Sequence, residues 1–140
     1  MGEALGIPEW LAVLLWVLGL LIVVVAYGFY SVRKAHHRLA ESRPNLSREQ
    51  FLAMMEPDCS TEAAEFLWDH VLFYVRSPLS PHPDDEFSKD LRIDDDDWSM
   101  DWPREFADQQ GFHESNLPDW PAGWPPTLRN FGRWLSMGPV

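Results

Sequence analysis

Cysteine is almost absent. Cys59 is the only one in 140 residues, so the chain holds no internal disulfide and no zinc site built on several cysteines. Basic residues are scarce as well: 11 Lys and Arg stand against 22 Asp and Glu, a net charge of −11. That balance argues against nucleic acid as a partner, because neutralising phosphates takes clustered Lys and Arg. No Lys or Arg precedes Arg33, and no charge of either sign falls between Trp10 and Val32. No segment alternates with the period of two that marks a half-buried strand, and no internal repeat is visible. Length excludes the large enzyme folds. Beyond the apolar run and its basic flank about 90 residues remain, fewer than a Rossmann sheet with a second domain or a TIM barrel needs.

What is present begins with the apolar run. The 23 residues from Trp10 to Val32 form a helix of about 34 Å, against a hydrocarbon core of roughly 30 Å. A cleaved signal peptide fits poorly. Its apolar part would be shorter and preceded by positive charge, whereas here Glu3 and Glu9 lead and Trp10, Tyr27, Phe29 and Tyr30 sit at the ends like an interfacial belt. A core helix apolar on every side needs more protein around it than this chain supplies. A single-pass anchor is the expectation. The flank after it carries Arg33, Lys34, Arg38, Arg43 and Arg48 against Glu41. The positive-inside rule then places the N-terminus outside and the C-terminal part in the cytoplasm, at the cell's inner membrane, with the basic stretch on anionic headgroups of the bilayer.

Three regions follow: an extracytoplasmic N-terminus and anchor over 1–32, a basic juxtamembrane linker over 33–46, and an acidic helical domain over 47–140. The helix is expected to run on to Arg43, where Pro44 disfavours it. Ser47 and Gln50 have capping-box spacing and open a short helix ending at Glu56 before Pro57. Ser60 or Thr61 caps the next, with Ala64, Leu67, Val71 and Val75 at helical spacing and Pro78 as its stop. Residues 77–97 read as a loop. A weaker helix is expected from about Trp102 to Gln110, capped by Asp101 or Trp102, with Pro103 in its first turn and Gly111 closing it. Thr127 caps a last helix bearing Leu128, Phe131, Trp134 and Leu135. The fold class is all-α with long loops.

Two segments invite chemistry. His82-Pro83-Asp84-Asp85-Glu86 resembles the metal motif of zinc-dependent deacetylases acting on N-acetylglucosaminyl substrates. It lacks the strand before and the glycine turn after, and only His113 lies downstream as a third ligand. A small zinc-dependent hydrolase using His82, Asp85 and His113 is therefore an alternative and not the first expectation. Asp94-Asp95-Asp96-Asp97 suggests calcium, but a loop counted from Asp94 has Trp98 fifth and Ser99 sixth, where an EF-hand needs glycine. A solvated acidic face is the simpler account. Cys59 follows Asp58 and lacks the cationic setting of a reactive thiol. Trp68 and Trp134 are expected in the core, while Trp98, Trp102, Trp120 and Trp124 are less readily placed, with an aromatic docking surface as the alternative reading.

Asp84-x-x-Phe87-x-x-Asp90-Leu91-x-Ile93-Asp94 resembles the segment of acyl carrier proteins that leads into their modified serine. Thr127-Leu128-x-x-Phe131-x-x-Trp134-Leu135 resembles the last helix of that family, and the likeness covers residues 60 to 136. The resemblance implies an acyl-carrier-like helical bundle, Phe87 and Leu91 plugging its core, Asp94 opening the second helix, and an acidic recognition face. Asp95 stands where carrier proteins have the serine, followed by Asp96. A carboxylate accepts no phosphodiester, so no phosphopantetheine and no other cofactor is expected. The chain is closer to small bacterial proteins of carrier type without the serine. It is read as a non-enzyme with no catalytic residue and no metal site: a membrane-anchored adaptor or accessory subunit. Its Asp94, Asp95, Asp96, Asp97, Trp98, Asp101 and Trp102 would bind a basic protein partner. A membrane-bound immunity or inhibitor protein would need only the same acidic surface.

Overall fold

The computed structural model describes residues 6–138; Glu3 and the rest of 1–5, with 139–140, lie outside the described residues. Among the described residues the chain is all-helical, with five α-helices and a single isolated bridge between Glu86 and Thr127. It divides into two compact units, residues 1–34 and 35–140.

The first unit is most of helix α1 (Glu9–Ser42). This helix is long and apolar enough to cross a membrane. Its large side chains, including Trp10, Trp16, Leu20, Tyr27 and Tyr30, are exposed rather than covered by protein. A buried core helix is thereby excluded.

The second unit starts earlier than the sequence suggests. Residues 35–46 belong to it, although Arg33, Lys34 and Arg38 make that stretch read as a solvated linker. His36 and Ala40 are buried, Leu39 and Leu46 pack on the core, and Arg43 pairs with Asp85. Positions 36, 39 and 40 are one helical stripe, continued by Arg43 just past the helix end, and it is hidden in the sequence because His36 and Arg43 are polar. α1 ends at Ser42, next to Arg43 and Pro44. Its last carbonyls are met by the Ser42 hydroxyl, which donates to Leu39 O at 2.8 Å, and by Asn45 Nδ2, which donates to Ala40 O at 3.0 Å.

α2 (Arg48–Met55) opens on the expected capping box: Ser47 Oγ accepts from Gln50 N–H at 3.2 Å and Gln50 Oε1 from Ser47 N–H at 2.9 Å. α3 (Thr61–Tyr74) is capped by Ser60, and it stops with Val75 extended, three residues ahead of Pro78. α5 (Leu128–Leu135) is capped by Thr127. Gly132 lets α5 close on the core, since a Cβ there would lie 2.8 Å from Met55 Cε and 3.0 Å from Cys59 Sγ.

α4 (Trp102–Gln110) has the expected bounds and the expected Gly111 in the left-handed region at φ 80°. Its beginning differs. Neither Asp101 nor Trp102 caps it, because no cap is required: residues 95–96 are already helical and continue through a π-helical turn, Asp97–Asp101. Pro103 supplies no N–H, and its ring would collide with the carbonyl of Ser99 in a regular helix. The wider π turn, with Trp102 N–H bonded to Asp97 O, relieves that crowding. The acidic run therefore opens a helix and does not end a loop. Residues 77–93 are irregular, yet Leu79, Phe87, Leu91 and Ile93 from them are all buried with α2, α3 and α5.

Candidate functional site

Four acidic residues meet in a shallow cleft of about 390 Å³ lined by Asp69, His70, Phe73 and Tyr74 of α3 and by Asp97, Asp101, Trp102 and Glu105. Helical spacing explains both walls: 69, 70, 73 and 74 share one face of α3, while 97, 101, 102 and 105 share one face of the π turn and α4. Asp69, Asp101 and Glu105 are exposed and Asp97 is half-buried. Phe73, at the edge, is 86% exposed, an aromatic ring held in water beside four carboxylates. The cleft's one cationic-capable wall residue, His70, bonds Phe66 O through Nδ1 at 2.8 Å and faces Glu105 Oε2 through Nε2 at 3.1 Å. Tyr74 donates to Asp97 Oδ2 at 3.1 Å; burial, that bond, and the field of Asp97, Asp101 and Glu105 push its phenol up from the ordinary value.

Asp94, Asp95 and Asp96 continue the exposed acidic rim. Asp94 opens the helix: its carbonyl accepts from Asp97 N–H at 3.1 Å and its carboxylate from Asp96 N–H at 3.0 Å. Asp95 accepts from Ser88 and, at 3.0 Å, from Trp98 Nε1. These two bonds hold its carboxyl below the ordinary range. Asp95 thereby fixes the Trp98 indole, which stacks on Phe87 at 4.8 Å and 11°.

The tryptophans for which an aromatic docking surface is the alternative reading, Trp98, Trp102 and Trp120, form an internal cluster instead. Trp102 is 3% exposed and leaves the set of residues a partner could reach, apart from the edge it shows to the cleft. Trp98 and Trp120 are half-buried against the core, and both meet Phe131, at 6.0 and 6.4 Å. Tryptophans separated by irregular, proline-rich chain gave no periodicity from which a common core could be read. The missed surface residues are Asp69, Phe73 and Glu105. Phe73 lies off the 64, 67, 71 and 75 stripe of α3, and nothing in its local sequence marks it as a ring exposed beside carboxylates.

His82–Glu86 also has a structural place. Asp85, 2% exposed, forms a two-pronged pair with Arg43, with Arg43 Nη2 also 2.9 Å from Ser80 O. It accepts His82 N–H at 3.0 Å as well. The carbonyls of Asp85 and Pro83 accept from Leu128 and Arg129 N–H at 3.0 and 2.7 Å, satisfying the open donors of α5's first turn. Asp84 pairs with Arg129, whose guanidinium holds the Asp84 carboxyl below the ordinary range. Thus Asp85 is occupied, His113 is exposed and bonded to Ser115, and no group of three or more His, Cys, Asp or Glu suited to a metal occurs among the described residues.

Two buried titratable groups give direct predictions. His36, fully buried, donates from Nε2 to Leu91 O at 2.6 Å and accepts Arg76 N–H on Nδ1 at 3.2 Å, the neutral tautomer. Burial, opposed by the Leu91 bond and joined by the charges of Arg76 and Arg92, lowers its pKa. The unfolded chain therefore takes up this proton first. The His36 contribution is intact above about pH 6.5 and is lost below it, at up to about 1.4 kcal/mol per pH unit until the folded histidine also protonates. His36→Gln keeps one donor and one acceptor without the titration. Urea unfolding at pH 7.5, 6.5 and 5.5 should show a steeper acid loss in the wild type; parallel profiles would contradict the assignment.

Burial, reinforced by Asp58, pushes the Cys59 thiol up to about 11. On the order of one thiol in ten thousand is then ionised at neutral pH. A disulfide reagent should modify the native chain at least tenfold more slowly than the urea-unfolded chain, and equal rates would refute the burial.

Compared with known protein families, characterised proteins and solved structures, the chain matches none.

Proposed function

We propose that the chain is a membrane-anchored, non-catalytic interaction domain of degenerate acyl-carrier type, holding an acidic face toward a basic protein partner at the cytoplasmic surface of the inner membrane. The observation that carries this is the cleft between α3 and α4, where Asp69, Asp97, Asp101 and Glu105 surround the exposed Phe73. Lys or Arg side chains fit such walls, and an apolar neighbour on the partner would cover the phenyl ring. From Asp84 to Asp119 thirteen Asp and Glu face three Lys and Arg, a field that speeds encounter with a basic surface. The carrier resemblance is supported by the burial of Phe87 and Leu91 and by Asp94 at the helix start. Asp95 in place of the serine supports a binding role without a prosthetic arm. Inhibition of a basic toxin would use the same surface. The hydrolase alternative is not favoured, because Asp85 is committed to Arg43.

The test is capture by the full chain in detergent, at low and high salt, compared with a variant carrying Asp94→Asn, Asp96→Asn, Asp97→Asn and Asp101→Asn. Asp95 is left intact because it positions Trp98. A partner with a basic surface should be retained at low salt, released at high salt, and lost from the variant. Capture indifferent to both salt and substitution would sink the proposal.

A further inference from the structure

The cations of this chain fall into two classes. Arg43, Arg48, Lys89, Arg104, Arg129 and Arg133 each pair with a carboxylate. Among the described residues the other five, Arg33, Lys34, Arg38, Arg76 and Arg92, make no ion pair and are exposed. In a protein with 22 acidic residues, five unpaired cations are not explained by a lack of partners. Arg33 and Lys34 follow the apolar run in sequence. In the second unit Arg38 is two residues beyond His36, and the other two are tied to His36: Arg76 N–H donates to His36 Nδ1, and the carbonyl of Leu91, which precedes Arg92, accepts from His36 Nε2.

Chain connectivity sets their distance from a bilayer. His36 is four residues beyond Val32, and four residues reach at most about 14 Å in any conformation. The headgroup layer takes up roughly 5–8 Å of that on each side, and the surface potential extends a further Debye length of about 8 Å. Arg76 and Arg92 are therefore held within reach of lipid phosphates. Arg92 also occupies the left-handed region at φ 59°, a conformation glycine adopts without steric cost. An arginine there supplies a charge at the expense of backbone comfort.

We infer that Arg76 and Arg92, brought beside His36 by its two hydrogen bonds, form with Arg38 a cationic surface of the second unit that docks this unit on anionic lipid headgroups. This rests on the anchor reading above and adds to it: the domain is fixed on the bilayer by its own loops as well as by the basic flank.

The full chain is reconstituted in nanodiscs of phosphatidylcholine alone or mixed with phosphatidylglycerol, and amide exchange is followed over residues 76–79 and 90–93. Each arginine near an anionic leaflet favours the docked state roughly fivefold, so exchange should be slower in the mixed discs. High salt should erase that difference in the wild type, an arm that needs no substitution. Arg76→Gln with Arg92→Gln should remove most of it, the two Lys replacements should retain it, and Arg104→Gln should leave it unchanged. Equal exchange in both lipids, or a lipid effect that survives high salt or the double Gln variant, would overturn the inference while leaving the anchor intact. A chain that does not enter the discs at all would overturn both.

Discussion

Asp85→Ala is expected to lower the stability of the second unit by about 3 kcal/mol, because removing one member of a buried ion pair leaves the other charge unmatched. The Asp85 side chain is 3% and the Arg43 side chain 16% exposed, so little water can take the place of the lost carboxylate. The same substitution also removes the acceptor for His82 N–H and loosens the turn whose carbonyls serve the start of α5. Replacing both partners tests the cause. Arg43→Met combined with Asp85→Ala should be less damaging than Asp85→Ala alone, since it removes the stranded charge. Urea unfolding of the full chain in detergent, followed by tryptophan fluorescence, measures this. A loss under about 1 kcal/mol for Asp85→Ala would mean that the pair contributes no more than a surface salt bridge.

Phe131→Ala is expected to cost about 3–5 kcal/mol, the range for emptying a buried phenylalanine site. Phe131 is fully buried, and its ring lies 5.3 Å from Phe87, 5.7 Å from Trp134 and 6.0 Å from Trp98. It joins α5 to the irregular segment and to the helix that carries the acidic rim. A small domain is typically stable by about 5–15 kcal/mol in all, so the substitution should also reduce the near-ultraviolet circular dichroism of the indoles. Phe131→Leu, which keeps most of the volume, should cost less than half as much. A near-neutral Phe131→Ala would show that the cluster is not packed as described.

These two sites mark the boundary of what the sequence makes legible. Ser47 with Gln50, Ser60, Thr127 and Gly111 act within a few residues of themselves, and each stands in the structure where its local chemistry placed it. Pro103 marks where the regular turns of α4 begin, but the helix already runs from Asp95, and the π turn that joins the two has no sequence signature. Arg43 and Asp85 are 42 residues apart, and His36 and Leu91 are 55 apart. Nothing in either local pattern marks them as partners. The acidic character of the site was evident from composition. Which acids share one cleft depends on the packing of α3 against the helix starting at Asp95, and that packing moved Trp102 inward while leaving Phe73 outside. The structural role of the His82–Glu86 motif was hidden for the same reason: its two aspartates serve Arg43 and Arg129, which no short segment can reveal.

The central claim is that the acidic face steers a basic partner to the domain. Its most direct test is the association rate constant between the full chain and the captured partner across a range of salt concentrations. The wild-type rate should fall at least tenfold from low to high salt, and the variant with Asn at positions 94, 96, 97 and 101 should associate slowly and with little salt dependence, its dissociation rate changing less. Equal association rates for the two proteins, with no response to salt in either, would contradict it.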